Sequence, residues 1–186
     1  MPDSADAAPD TQALLLRARA GDLAAFDKLM IRHQRLVLNV AWRLLGSRED
    51  AKDIGQEVFL RFYRSLKGMR EDRQVAPWLY RVTVNACHDL RRRERRWVSL
   101  EDQYPSSASG PEEDLGESEQ RRVLFEGLER LPEKERAAVL LRDIEGLSTA
   151  EVAAILDSSE ATVRSQISVA RGKLRTFARR VWGRRT

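Results

Sequence analysis

Apolar side chains recur along this chain at three- and four-residue intervals, the spacing of helices packed on one side, and nowhere in the strict alternation of a half-buried strand. Residues 1–11 lack that pattern and read as a disordered N-terminus. Leu14, Leu15 and Leu16 then open a short helix that Gly21 and Asp22 stop, and Asp22 is placed to cap a longer one. Phe26, Leu29, Met30, Val37, Val40, Ala41 and Leu44 form the buried stripe of that helix, with Gly46 as its stop. Ser47 with Asp50 three residues later resembles a capping box and starts a helix that buries Ala51, Ile54, Val58 and Phe62. Pro77 suits the first turn of the next helix, expected over residues 77–96, which buries Leu79, Val82, Ala86 and Leu90.

The periodicity breaks over residues 97–120, where Pro105, Pro111, the run SSASG and few apolar residues predict a flexible linker. It resumes at 121. Leu124, Leu128 and Leu131 make a short helix ended by Pro132, and Ala137, Leu140, Leu141 and Ile144 make another, stopped by Gly146. Ser148 and Glu151 form a capping box for a helix that buries Val152, Ile155 and Leu156. The polar turn Asp157, Ser158, Ser159 leads into a final helix with Val163, Ile167, Ala170, Leu174 and Phe177 inside. The expected fold is all-α, with two small helical domains, residues 12–96 and 121–186, joined by a flexible acidic linker at 97–120.

Charge follows the same division. Residues 1–96 have a net charge of +6, residues 97–120 carry seven acids and no Lys or Arg, and residues 121–186 have a net charge of +5. Two cationic modules on one anionic tether suit a protein that touches nucleic acid at two places. The basic side chains are 28 Arg against 5 Lys. Arg offers a planar fork for phosphate and base edges, although genome composition produces the same bias.

Other classes are disfavoured. Cys87 is the single cysteine, which excludes an internal disulfide and a thiolate metal cluster and suits a reducing cytoplasm. Its place near the buried side of a helix points to packing rather than to a nucleophile. The N-terminal segment has acids and prolines where a signal peptide needs a positive charge and an apolar run, and no stretch is apolar enough to span a membrane. A cytoplasmic protein without direct membrane contact is expected. His33 and His88 are too few and too far apart for a metal site, and no glycine loop cradles phosphate, so neither enzyme chemistry, metal nor cofactor is expected.

On the last helix Arg164, Ser168, Arg171 and Arg175 line up one residue further round than the buried stripe. Two short helices with a tight turn, the second exposing Arg and Ser from its N-terminal half, meet the requirement for major-groove reading. A helical hairpin with a solvated charged face has the same pattern. The second basic module and a tail with Arg179, Arg180, Arg184 and Arg185, suited to phosphates, favour DNA. In the first module, Trp78, Arg81, Asn85, His88 and Arg92 fall at spacings of three, four, three and four. A Trp, an amide and cations on one helix face suit unpaired DNA, with the Trp stacking on a base; a core position at a helix start accounts for Trp78 equally simply. Arg91, Arg92, Arg93, Arg95 and Arg96 suit backbone contact. Asp50, Asp53 and Glu57 place three carboxylates on one side of the preceding helix, a poor DNA surface that suits a basic protein partner or plain solvation.

The segments DAKDIGQEVFLRFY, VAPWLYRVTVNACHDLRRR, LPEKERAAVLLRDIEGLSTAEVAAIL and ATVRSQISVARGKLR, in this order, closely resemble an extracytoplasmic-function sigma factor of the sigma-70 family. The resemblance runs from about residue 12 to 180 and implies a region 2 domain and a helix-turn-helix region 4 domain that direct RNA polymerase core to promoters. It implies that Asp50, Asp53, Gln56 and Glu57 dock on the clamp helices of the beta-prime subunit, with the beta flap as a further contact. Arg70, Arg73 and Gln74 fall on the loop that captures a flipped minus-ten base, and Trp78, Arg81, Asn85 and Arg92 on the helix that handles the melted strand. Thr162, Arg164, Ser165, Ser168, Arg171 and Arg175 fall on the minus-thirty-five helix. Ser159 and Ala161 stand where Pro and Gly are common, and Val169 where Arg is frequent, so the base preference does not carry over. The resemblance also implies that the linker enters the polymerase cleft and that an anti-sigma factor controls the protein. The competing reading is a stand-alone helix-turn-helix regulator, which leaves Trp78, Asn85 and the acidic helix without a role.

Overall fold

The computed structural model describes residues 9–70, 74–100 and 119–183, and among them every regular element is helical. Helix α1 (Pro9–Arg19) begins inside the stretch expected to be disordered. Arg32 donates to the Thr11 hydroxyl at 2.6 Å and to Asp10 at 2.5 Å, which ties the first turn to the next helix and leaves Thr11 buried. Composition could not show this, because the anchoring side chain lies about two dozen residues downstream. Residues 1–8 lie outside the described residues.

The Asp22 carboxylate accepts the Ala25 N–H at 3.0 Å and starts α2 (Leu23–Leu45). Gly46 ends it with φ +79, a left-handed turn open to glycine, its N–H donating to the Trp42 carbonyl at 2.7 Å. Ser47 caps α3 (Arg48–Ser65), which tightens into a single 3-10 turn at Leu66–Gly68. Helix α4 (Val75–Leu100) is longer than expected at both ends. Val75 is fully buried and draws the start two residues forward, and the far end runs four residues into the predicted linker. Of the rest of that predicted linker, residues 101–118 lie outside the described residues, and 119–120 already belong to the next helix. Leu15, Leu29, Val37, Val40, Val58, Phe62 and Leu79 are fully buried between these four helices.

The second region is assembled from shorter pieces. Helix α5 (Glu119–Glu129) is followed by α6 (Glu133–Val139), which widens into a π-type turn over Leu140–Ile144. Then come α7 (Thr149–Ile155) and the long α8 (Glu160–Trp182). Arg136 sits inside, 3% exposed, and ties the pieces together: it donates to the Leu131 carbonyl at 3.1 Å and to the Glu129 carbonyl. Burial pulls its pKa down to about 10.

The two regions lean on one another rather than standing apart. Arg136 also donates to the Leu44 carbonyl at the end of α2, at 2.8 Å. The Trp42 and Phe125 rings lie 4.4 Å apart, and the Tyr80 hydroxyl donates to Glu145 at 3.1 Å while Arg43 pairs with the same carboxylate. One apolar core therefore runs from Leu15 and Val37 through to Leu140 and Val152.

Candidate nucleic-acid interface

The helix-turn-helix is built by caps. Ser148 and Glu151 form a reciprocal box, Glu151 accepting the Ser148 N–H at 2.7 Å and Ser148 accepting the Glu151 N–H at 3.2 Å, and these bonds hold the Glu151 carboxyl below its ordinary pKa. Asp157 takes φ +49, which Asp tolerates better than most residues, and turns the chain. Ser159 then caps α8, accepting the Thr162 N–H at 3.1 Å, with the two hydroxyls 2.8 Å apart. Val163, Ile167 and Ala170 are buried, which leaves Arg164, Ser165, Ser168 and Arg175 exposed to solvent. Arg164 pairs with Glu160 at 3.1 Å within the helix, a weak exposed contact.

Arg171 is held differently. Its guanidinium forms a bidentate pair with Asp143 from the π-type turn, at 2.6 and 2.8 Å, which raises its pKa further. It pins α8 to the preceding element while remaining at the edge of the exposed face, and Arg175 donates back to its carbonyl at 3.3 Å. The partner Asp143 was not singled out by sequence reasoning, since it lies 28 residues away.

On α4, Arg81 and Asn85 are exposed on one side, and Arg92 is exposed and paired with Asp89. Trp78 is half-buried, its ring 5.5 Å from that of Phe62, so one part of the indole packs and the rest stays open. Arg81 donates to the Ala154 carbonyl on α7, so this face of α4 abuts the helix-turn-helix. Arg70 and Gln74 are exposed on either side of residues 71–73; Arg73 lies outside the described residues. In the basic run after Asp89, Arg91 is half-buried and donates to the Leu45 carbonyl at 3.2 Å, and Arg95 pairs with Glu133, so these two serve internal contacts.

The acidic side of α3 carries Asp53 and Gln56 exposed, Asp50 half-exposed in the first turn, and Glu57 paired with Arg61. Two residues continue that strip which sequence reasoning did not name: Leu60 and Tyr63, 55% and 49% exposed. Leu60 follows Gln56 by four residues and Tyr63 follows Leu60 by three, but an apolar residue on a helix reads as core by default. Tyr63 meets Phe26 edge-on at 5.1 Å.

Little here suits bond-making chemistry. Burial pushes the Cys87 thiol up to about 12, far from the thiolate a nucleophile needs. Among the described residues no cluster of His, Cys, Asp or Glu could hold a metal ion, and no helix is long and apolar enough to cross a membrane.

Comparison with known proteins agrees with this geometry. Residues 29–97 match the model of sigma-70 region 2, and residues 121–174 that of sigma-70 region 4. The ECF RNA polymerase sigma-E factor of Haemophilus influenzae is 35% identical over 172 residues, covering 86% of this chain and 90% of that protein. The sigma-E factor of Escherichia coli K12 is 37% identical over the same shares. Among solved structures, CnrH in complex with the cytosolic domain of CnrY superposes with a TM-score of 0.67 at 26% identity, covering 91% of this chain and 97% of that one. The fold is also that of the sigma factor RpoE solved with the anti-sigma factor NepR from Bartonella quintana, with a TM-score of 0.73 at 19% identity over 83% of this chain and 96% of that one. With two matched regions in order and relatives aligned over nearly their whole length, this chain belongs to the ECF sigma factors of the sigma-70 family.

Proposed function

We propose that this sigma factor recruits a bacterial RNA polymerase core in the cytoplasm through the acidic strip of α3, and gives that enzyme its promoter preference through α4 and α8. Asp50, Asp53, Gln56 and Glu57, extended by Leu60 and Tyr63, form the docking strip for the clamp helices of the beta-prime subunit, where acidic and apolar groups meet a basic partner surface. The second region contacts the beta flap.

The loop carrying Arg70, Arg73 and Gln74 captures a flipped base of the minus-ten element, and Trp78, Arg81, Asn85 and Arg92 receive the separated strand. Binding the flipped base offsets the cost of opening the duplex, so the factor itself needs no nucleotide hydrolysis. At the upstream element, Arg164, Ser165 and Ser168 face the major groove, Thr162 and Arg175 reach phosphates, and Arg171 fixes the pose of the helix from its edge. An anti-sigma factor controls the protein by covering the polymerase-binding surfaces.

The observation that carries this reading is the union in one chain of an exposed acidic strip on α3 and two helix faces that expose Arg with Asn or Ser, an arrangement that a stand-alone helix-turn-helix regulator leaves unexplained. Reconstitution with core enzyme and a promoter library tests it: promoter-specific initiation is expected only when both are present. Tight binding of a duplex operator by the free chain, with no gain from core enzyme, would favour the regulator instead. Trp78→Ala is expected to impair promoter opening, followed by permanganate reactivity, more than closed-complex binding, followed by footprinting.

A further inference from the structure

The two arginines along one edge of the outward face of α8 already have partners: Arg164 meets Glu160, and Arg171 meets Asp143. Beside that edge, the strip farthest from the core carries Ser165, Ser168, Val169 and Gly172, which fall within about 100° of one another around the helix. It bears no charge. Val169 is 45% exposed, and the other large apolar side chain that α8 exposes among the described residues, Trp182, lies at its last turn.

Gly172 is the second observation. A Cβ built there would meet nothing within 4 Å, so no neighbour among the described residues requires its absence. Gly127 differs, since a Cβ there would meet Leu174 at 2.9 Å and Phe177 at 3.1 Å. Glycine in a helix interior is disfavoured about fivefold relative to alanine. A half-exposed glycine that no described neighbour requires, one turn from an exposed valine, suits a surface that something outside the protein approaches closely.

We propose that Val169 reads a thymine in the upstream promoter element by packing against its C5-methyl group, and that Gly172 lets the helix backbone come close enough for that contact. The major groove presents this methyl at thymine and none at cytosine, and an aliphatic side chain has no donor for a guanine edge. Ser165 and Ser168, adaptable as donor or acceptor, serve the neighbouring base edges without fixing their identity. The assignment rests on the reading above, that α8 enters the major groove of that element.

The test uses holoenzyme and a promoter selected from a library randomised in its upstream element. Each thymine of the selected element is then replaced by uracil, which removes only the methyl group. At one position the replacement is expected to weaken binding about fourfold, the effect of one buried methyl, and in Val169→Ala holoenzyme that difference should vanish. Gly172→Ala should raise the melting temperature of the free chain while lowering promoter affinity severalfold, a pair of opposite changes that a purely structural glycine does not produce. A selected element indifferent to uracil, or a uracil effect that survives Val169→Ala, would overturn the valine's role; a stabilised Gly172→Ala chain with unchanged affinity would overturn the glycine's. If no upstream sequence is selected at all, the promoter reading fails along with this assignment.

Discussion

The first region holds itself together by burying apolar side chains between long helices, whereas the second is stitched by polar groups. Phe62, Leu29 and Leu79 are fully enclosed by α1 to α4. Helices α6 and α7 are only seven residues each, too short to be stable alone, and depend on the buried guanidinium of Arg136, the Ser148–Glu151 box, the Ser159 cap and the Arg171–Asp143 pair. The first device tolerates surface change and punishes loss of volume. In the second, single hydrogen-bonding groups matter as much as apolar ones.

That contrast can be broken by mutation. Phe62→Ala, which empties the centre of the first region and removes contacts with Phe26 and Trp78, should destabilise by about 3–5 kcal/mol in chemical denaturation. Arg136→Met keeps the volume but leaves the Leu44, Leu131 and Glu129 carbonyls without their donor; a loss of about 2–3 kcal/mol is expected, with the second region melting first when followed by hydrogen exchange. A neutral Arg136→Met would erase the distinction between the regions. Ser148→Ala should cost about 1 kcal/mol by removing half of the capping box, seen as faster exchange along α7.

The smallest effect is a pH dependence at His88, which lies on α4 near Glu133, Arg91, Asp89 and Arg136. Burial holds its pKa below 6.5, against the opposing pull of Glu133. The unfolded chain therefore takes up this proton first on acidification. The stability involved is fully present above 6.5 and is lost as pH falls through 6.5 toward the lower folded value. Melting temperatures between pH 7.5 and 5.5 should show a slope that is shallower in His88→Gln, on the order of a few degrees at most.

Much of this architecture follows from local patterns. The caps at Asp22, Ser47 and Ser148 and the stops at Gly46 and Gly146 depend on residues within a turn of one another, and each is visible in a short window; the Ser159 cap is equally local but reads only as part of a polar turn. Arg136 was not so visible, because in LPEKERAAVL it reads as one charge among several, and its acceptors come from two places in the chain, one of them 92 residues away. The same holds for the first turn of α1, anchored from Arg32, and for the pairing of Arg171 with Asp143. Periodicity located the outward face of α4 but not the depth of Trp78, which depends on Phe62 from another helix. The extra residues of α4 beyond 96 were hidden because the acidic composition without Lys or Arg over residues 97–120 describes the following segment better than the helix end.

The seam between the regions, with Arg43 and Tyr80 sharing Glu145 and Arg136 reaching Leu44, carries a thermodynamic corollary. Any partner that requires the regions to be spread finds only the fraction of molecules already spread, and its measured dissociation constant rises by the reciprocal of that fraction. Loosening the seam, as Tyr80→Phe does by deleting one bond to Glu145, then tightens capture by such a partner without touching the surface it grips. The strength of this internal handshake is thus a dial on recruitment, set in part by Tyr80, the buried neighbour of Arg81 on α4.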